Sequence, residues 1–87
     1  MNSGTVKCLH RYAKMLDNMN IRSQKDDTNP TSLEHILWMI MFMLLQHPMS
    51  VDKYSRWLGF IQACLVWHGI TTVKEERDVT RPWFKNM

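Results

Sequence analysis

The residues of this chain that could do chemistry are basic side chains that lie beside aromatic ones. A guanidinium binds phosphate oxygens in a bidentate way, and an aromatic ring stacks on a nucleobase at about 1–3 kcal/mol per base. These are the two elements that binding of a small cyclic nucleotide requires. The residues that form such groups are Arg11, Tyr12 and Lys14; Lys53, Arg56, Phe60 and Trp67; and Arg77, Arg81, Trp83 and Phe84.

The same residue types also have a purely structural explanation. Tyr12 and Trp67 could pack in the interior of the fold, and the arginines could be solvated or form salt bridges between subunits. The pattern alone favours this structural explanation. A binding site therefore needs support from outside the pattern.

No catalytic arrangement stands out in the chain. Serines are few, acidic residues are scattered, and there is no glycine-rich phosphate loop. The four histidines and the two cysteines, Cys8 and Cys64, lack the paired spacing of a metal site. We expect a protein that is not an enzyme, binds no metal or cofactor, and keeps both cysteines as buried free thiols.

Composition indicates a single helical domain. The 87 residues include only three glycines and three prolines, too few for a fold rich in loops or strands. The net charge of +3 suits an anionic partner of limited size better than long nucleic acid, which needs many phosphate contacts. The first residues lack the apolar core of a signal peptide, so we expect a cytoplasmic protein.

Hydrophobic periodicity predicts one all-α domain over 1–87, built from three helices and a short C-terminal helix followed by a tail. Capping signals mark the ends of these helices: T-x-x-E spacing at 31–34 and 72–75, Ser50 as an N-cap, and Gly69 as a C-cap. Gly59 lies inside the third helix and predicts the close approach of another backbone. The predicted helices are 4–19, 32–46, 51–68 and 73–80.

An uninterrupted apolar run, Ile36 to Leu45, occupies the second helix. It is about half the length that a helix needs to cross a bilayer, so we expect no membrane span. A domain of this size has too little surface to wrap a helix on every side, which predicts a core completed by homo-oligomerisation. The expected interface residues are Trp38, Met41, Phe42, Leu45, Phe60, Trp67 and Trp83.

Three segments carry a resemblance to a known family. They are LHRYAKML at 9–16, RWLGFIQACLVWHGI at 56–70 and KEERDVTRPWF at 74–84. Together they resemble the T4-like phage form of the anti-CBASS cyclic-oligonucleotide sponges. These sponges sequester the cyclic di- and trinucleotide messengers of the bacterial CBASS defence without cleaving them.

The resemblance implies a small, all-helical hexamer with binding sites between protomers. It also implies that an aromatic residue of the first helix stacks on a base, which points to Tyr12, and that Lys25 binds a phosphate. The physical argument adds Arg11, Lys14, Arg56, Arg77 and Arg81 as further candidate ligand-binding residues. The implied partners are cyclic purine dinucleotides and further copies of the chain, in the cytoplasm of the infected bacterium.

Two other functions explain the same aromatic residues. A phage-encoded inhibitor could bind a host protein through the Trp83–Phe84 tail or through the face of Phe60 and Trp67, and it would not need the arginines. A small DNA-binding protein is disfavoured, because no helix carries the dense basic stripe typical of such proteins.

Overall fold

Four helices form the secondary structure of residues 3–45 and 49–84, which are the residues described by this computed structural model. No strand occurs in these two ranges, and the prediction of an all-α fold is confirmed. Each helix begins within one residue of its expected position, and α4 ends four residues later than expected because it continues past Pro82. The bounds are α1 Ser3–Asn18, α2 Leu33–Leu45, α3 Val51–Trp67 and α4 Val73–Phe84.

The apolar helix α2 is covered largely by its own chain. It packs against both α1 and α3, while α4 packs on α1. Ile36, Ile40 and Met43 are buried, and among the described residues of the run only Leu45 is exposed, at 69%. The argument that α2 needs other copies of the chain for its cover is therefore weakened. Homo-oligomerisation stays a prediction.

Two helices end in the same hydrogen-bonded turn. After α3, the amides of Gly69 and Ile70 donate to the carbonyls of Val66 and Leu65 at 3.0 and 2.9 Å. Gly69 has a φ of 76°, so glycine is favoured there, as the sequence predicts. After α1, Asn20 takes the equivalent position with a φ of 62°.

The helix starts match the capping signals only in part. The hydroxyls of Ser50 and Thr72 accept from the amides three residues later, as predicted for α3 and α4. For α2 the cap is Ser32, whose hydroxyl accepts from the amide of His35 at 3.2 Å, and not the expected Thr31. A methyl group added at Gly59 would meet nothing within 4 Å, so the expected close backbone contact is absent within the described chain.

The connector between α1 and α2 is fastened to the start of α2. The Gln24 amide donates to the Glu34 carbonyl at 3.1 Å, and the Asp26 amide donates to Nδ1 of His35 at 2.9 Å. At the other end of the chain, Trp83 packs against the core of its own chain instead of extending as a separate tail. The predicted end of α2 at Gln46 lies outside the described residues.

Candidate functional site

Tyr12 lies in the interior of the fold, with no exposed surface. Its hydroxyl donates a hydrogen bond to the carboxylate of Glu76 on α4. The same oxygen accepts a bond of 2.9 Å from Nε2 of Gln62 on α3. Tyr12 therefore joins three helices through a single polar atom.

Glu76 is the centre of this arrangement, which we call the Tyr12 cluster (Arg11, Tyr12, Gln62, Thr71 and Glu76). Nη1 of Arg11 donates to both carboxylate oxygens, at 2.9 and 2.7 Å. The Thr71 hydroxyl donates to one of them at 2.7 Å. Nη2 of Arg11 also lies 3.5 Å from the carboxylate of the neighbouring Glu75. The charge of Glu76 is thus neutralised by Arg11.

The pKa values of the Tyr12 cluster follow from these contacts. Burial alone raises the pKa of Glu76, but hydrogen bonds from Tyr12, Thr71 and Arg11 outweigh it, and the pKa is lowered. Burial and the bond to Glu76 raise the pKa of Tyr12 far above its ordinary range. Burial likewise raises the pKa of the nearby Cys8 thiol to about 11. The cluster at neutral pH therefore holds a carboxylate, a neutral phenol and an unreactive thiol.

This placement does not fit the roles expected of Tyr12 and Arg11. The enclosed Tyr12 ring has no free face on which a nucleobase could stack. The Arg11 guanidinium already binds a carboxylate and lies 5.7 Å from the centre of the Tyr12 ring. In this arrangement both side chains attach α4 to α1, which is a structural function.

A separate apolar groove lies between α3 and α4, and we call it the α3–α4 groove. Ala63, Val66 and Trp67 line it from α3, while Val73 and Arg77 line it from α4. Its volume is about 570 Å³, within the roughly 300–1,000 Å³ typical of small-molecule sites. Gln62, Glu76 and Thr80 complete the lining, and the Glu76 carboxylate is already bound by Arg11. The groove therefore offers apolar walls and the Arg77 guanidinium to a flat ligand with an anionic group.

Trp67 and Arg77 are the two residues of the groove that are free to bind. Trp67 is 76% exposed, and its ring meets only the adjacent His68 ring, edge-on at 5.2 Å, among the described aromatic rings. Arg77 is exposed and has no carboxylate within 4 Å among the described residues. An aromatic ring and a guanidinium, the two residue types that the sequence analysis sought, are therefore available here and not at Tyr12, in a pairing of Trp67 with Arg77 that the sequence analysis did not predict.

The other predicted ligand-binding residues do not converge on this groove. Lys14 lines a different pocket of about 540 Å³ between α1 and α2, with His10 and Met41. Lys25 lies over the ring of Trp38 at 5.4 Å from its centre. Arg56 and Arg81 are exposed on α3 and α4 and form no ion pair within the described ranges.

The predicted interface residues are spread over several surfaces of the chain. Two of them, Trp38 and Phe42, form an aromatic group with Trp57, since the ring of Trp38 lies 5.3 Å from that of Phe42 and 6.4 Å from that of Trp57. Among the described residues, Leu45, Phe60 and Trp67 are the exposed members of the predicted set. Trp38, Met41, Phe42 and Trp83 are half-buried.

Sequence reasoning missed the residues that organise the interior. Glu76 carries no local signal, because its partners Arg11 and Tyr12 lie 65 and 64 residues away. Gln62 is equally inconspicuous within an apolar helix. The T-x-x-E spacing at 72–75 drew attention to Glu75, whose side chain is 53% exposed, while its neighbour Glu76 occupies the interior.

No family model matches the chain, and no curated protein or solved structure is significantly similar to it. Within the described ranges, no helix is long and apolar enough to span a membrane. Among the described residues, no group of three or more His, Cys, Asp or Glu side chains is placed to hold a metal ion. Cys8 and Cys64 are buried free thiols.

Proposed function

We propose that this protein binds and sequesters cyclic di- or trinucleotides without cleaving them, in the manner of the anti-CBASS sponges that its sequence resembles. The observation that carries the proposal is the exposed Trp67 beside Arg77, which pairs with no carboxylate among the described residues, in the α3–α4 groove. An exposed indole that continues into an apolar groove is typical of a site that a ligand or partner covers. A nucleobase and its phosphate would satisfy both side chains.

In this proposal the base stacks on Trp67 and the apolar wall, while Arg77 binds a phosphate oxygen. Removal of the indole face from water adds to the stacking energy of about 1–3 kcal/mol per base. The guanidinium supplies the charge-assisted contact that orients the ligand. Sequestration needs no bond to be broken, so no catalytic group is required.

A second copy of the chain completes the proposed site. One groove of about 570 Å³ leaves much of a cyclic oligonucleotide in solvent, and a site closed by two protomers holds its ligand more tightly because less of it stays hydrated. We therefore propose a homo-oligomer, with six copies as the resemblance implies. It acts in the cytoplasm of an infected bacterium, without a membrane or long nucleic acid as partner.

Isothermal titration with a cyclic purine dinucleotide tests this function. We expect saturable binding, recovery of the intact ligand after heating, and at least a tenfold loss of affinity for Trp67→Ala, about the energy of one stacked base. Arg77→Gln should weaken binding to a similar extent. Its matched control is Arg56→Gln: Arg56 is another exposed arginine and was a candidate from the sequence, but it lies on α3 outside the groove, so this proposal gives it no ligand contact.

Failure of several cyclic di- and trinucleotides to bind would overturn the proposal. So would equal losses for Arg77→Gln and Arg56→Gln, because binding would then follow total charge and not the groove. Cleaved ligand after heating would show an enzyme instead.

An alternative function is inhibition of a host protein through the same exposed apolar surface. Phe60 and Trp67 are exposed on α3, and a protein side chain could fill the groove as well as a base could. Phe60→Ser separates the two functions, since Phe60 does not line the groove. Loss of a captured host protein with unchanged nucleotide binding would favour the inhibitor.

A further inference from the structure

We infer that a second pocket, beside His35 at the junction of the connector with α2 and α3, binds a small acid: a carboxylate or phosphate group attached to one flat apolar ring. Lys25, His35, Trp38, Trp57 and Phe60 line this pocket, which we call the His35 pocket. It is distinct from the α3–α4 groove and does not depend on the proposed function.

The first argument is the hydrogen bonding of His35, whose side chain is only 7% exposed. Its Nδ1 accepts the backbone amide of Asp26 at 2.9 Å, so Nδ1 carries no proton. A neutral imidazole must then carry its proton on Nε2. No hydrogen-bond acceptor for Nε2 occurs among the described residues, although buried donors are rarely left without one.

The tilted ring of Trp38, 5.4 Å from that of His35, is at most a weak acceptor for this proton. The structure therefore presents a buried N–H donor at the wall of a pocket. An oxygen atom of a ligand is the partner that such a donor lacks.

The second argument is positive charge held at the same place. Nζ of Lys25 lies 5.4 Å from the centre of the Trp38 ring, and Nζ of Lys53 lies 5.6 Å from the centre of the Trp57 ring. Lys25 lines the pocket, and contact with the Trp38 ring holds its flexible ammonium there, while Lys53 adds positive charge beside Trp57 without lining the pocket. Lys25 and His35 supply the donors, and an oxyanion is the complementary ligand group.

The third argument is the shape and composition of the walls. Trp38, Trp57, Phe60 and Met39 give the pocket flat apolar faces, and its volume is about 380 Å³. This is smaller than the α3–α4 groove and suits one ring with an acidic group. A cyclic oligonucleotide would exceed it.

Asp27 is the residue that opposes an anion here. Its carboxylate lies 3.7 Å from Nζ of Lys25, and both side chains are more than half exposed. A bound acid would compete with Asp27 for the lysine. Removal of the Asp27 charge should therefore strengthen binding, which distinguishes a true anion site from a merely apolar pocket.

Titration of the full chain with benzoate and with phenyl phosphate tests the inference, with neutral benzamide as the matched probe. We expect one or both acids to bind with a Kd below about 1 mM and benzamide to bind at least tenfold more weakly. The ¹⁵N resonance of His35 Nε2 should shift on binding. The tighter of the two acids identifies the preferred acidic group.

Variants locate the ligand. Lys25→Met should weaken binding by about tenfold, the effect of one charge-assisted hydrogen bond, and Asp27→Asn should tighten it. Lys74→Met is the control, because Lys74 is an exposed lysine of α4 outside the pocket. Equal binding of benzamide, equal effects of Lys25→Met and Lys74→Met, or an unmoved His35 resonance would each overturn the inference.

Discussion

The Tyr12 cluster and the α3–α4 groove contain the same pair of residue types in opposite states. In the cluster, Arg11 and Tyr12 both bind Glu76, and the ring has no exposed surface. In the groove, Trp67 is largely exposed, and Arg77 pairs with no carboxylate in the part of the chain that the structure describes. Glu76 borders both regions.

The difference shows that a carboxylate, and not the adjacent aromatic ring, decides whether an arginine is available to a ligand. The family resemblance pointed to a binding site at Tyr12, whereas the residue pattern alone favoured packing of Tyr12 in the interior. A single glutamate from a distant helix engages Arg11 and Tyr12 in a structural contact. The next residue along the chain, Arg77, pairs with no carboxylate within the described ranges.

The largest effect is expected for Glu76→Gln. The amide offers one acceptor oxygen and turns N–H groups toward Arg11, Tyr12 and Thr71, which are all donors. We expect a loss of about 3 kcal/mol in the free energy of unfolding, the lower end for a broken buried pair because Arg11 is partly exposed. Urea denaturation measures it.

Glu75→Gln is the matched control for this change. Glu75 is the neighbouring residue and also lies near Arg11, but its side chain is 53% exposed. An exposed pair contributes little, so its loss should stay below about 1 kcal/mol. Equal losses for the two variants would contradict the central position of Glu76.

A smaller effect is expected for Tyr12→Phe. The ring still fills the core, but Glu76 loses a donor and Gln62 loses its acceptor. We expect a loss of about 1–2 kcal/mol in the free energy of unfolding. Nucleotide affinity should not change, and a large loss of affinity in a folded Tyr12→Phe protein would return Tyr12 to the binding site.

Lowering the pH should also reduce the stability that the Tyr12 cluster contributes, because it protonates Glu76. The pKa of Glu76 is lower in the folded protein than its ordinary value of 4.5, so the unfolded chain takes up the proton first. The stability contributed by this carboxylate is complete above about pH 4.5 and is lost as the pH falls through the lower folded pKa. Between pH 6 and 3, the free energy of unfolding should depend less on pH for Glu76→Gln than for the wild type or Glu75→Gln. Urea denaturation at a series of pH values measures this dependence.

The smallest effect on stability is expected for Trp67→Ala. The exposed indole contributes little to the core, so the free energy of unfolding should change by less than about 0.5 kcal/mol, as for other surface changes. A thermal melt measures the stability of Trp67→Ala, and the binding titration measures its nucleotide affinity separately. A loss comparable to that of Tyr12→Phe would mean that Trp67 is a core residue and that the two regions do not differ.

The helices could be predicted because their signals are local. Apolar stripes and capping residues act within a few residues of their own position. The structure contains the caps that Ser50, Thr72 and Gly69 indicate. The extension of α4 through Pro82 was missed, because the packing of Trp83 against the core is a tertiary contact. The cover of α2 was underestimated for the same reason.

The candidate sites could be predicted only by residue type. Arg77 and Trp67 were identified as chemically suitable, but their convergence on one groove depends on the docking of α4 beside α3. Lys25 was identified from the sequence, but the buried His35 that lines the same pocket was not. Contacts across more than 60 residues leave no pattern in one sequence.

The attachment of α4 by the Tyr12 cluster makes this helix a unit that can open by itself. A cooperative segment held by a few contacts exchanges its amide hydrogens through partial unfolding rather than global unfolding. One wall of the α3–α4 groove exists only while α4 is closed, so a ligand there raises the free energy of that opening by mass action. Amide exchange along α4 would therefore slow on ligand binding, while exchange in the covered helix α2 would stay limited by unfolding of the whole chain.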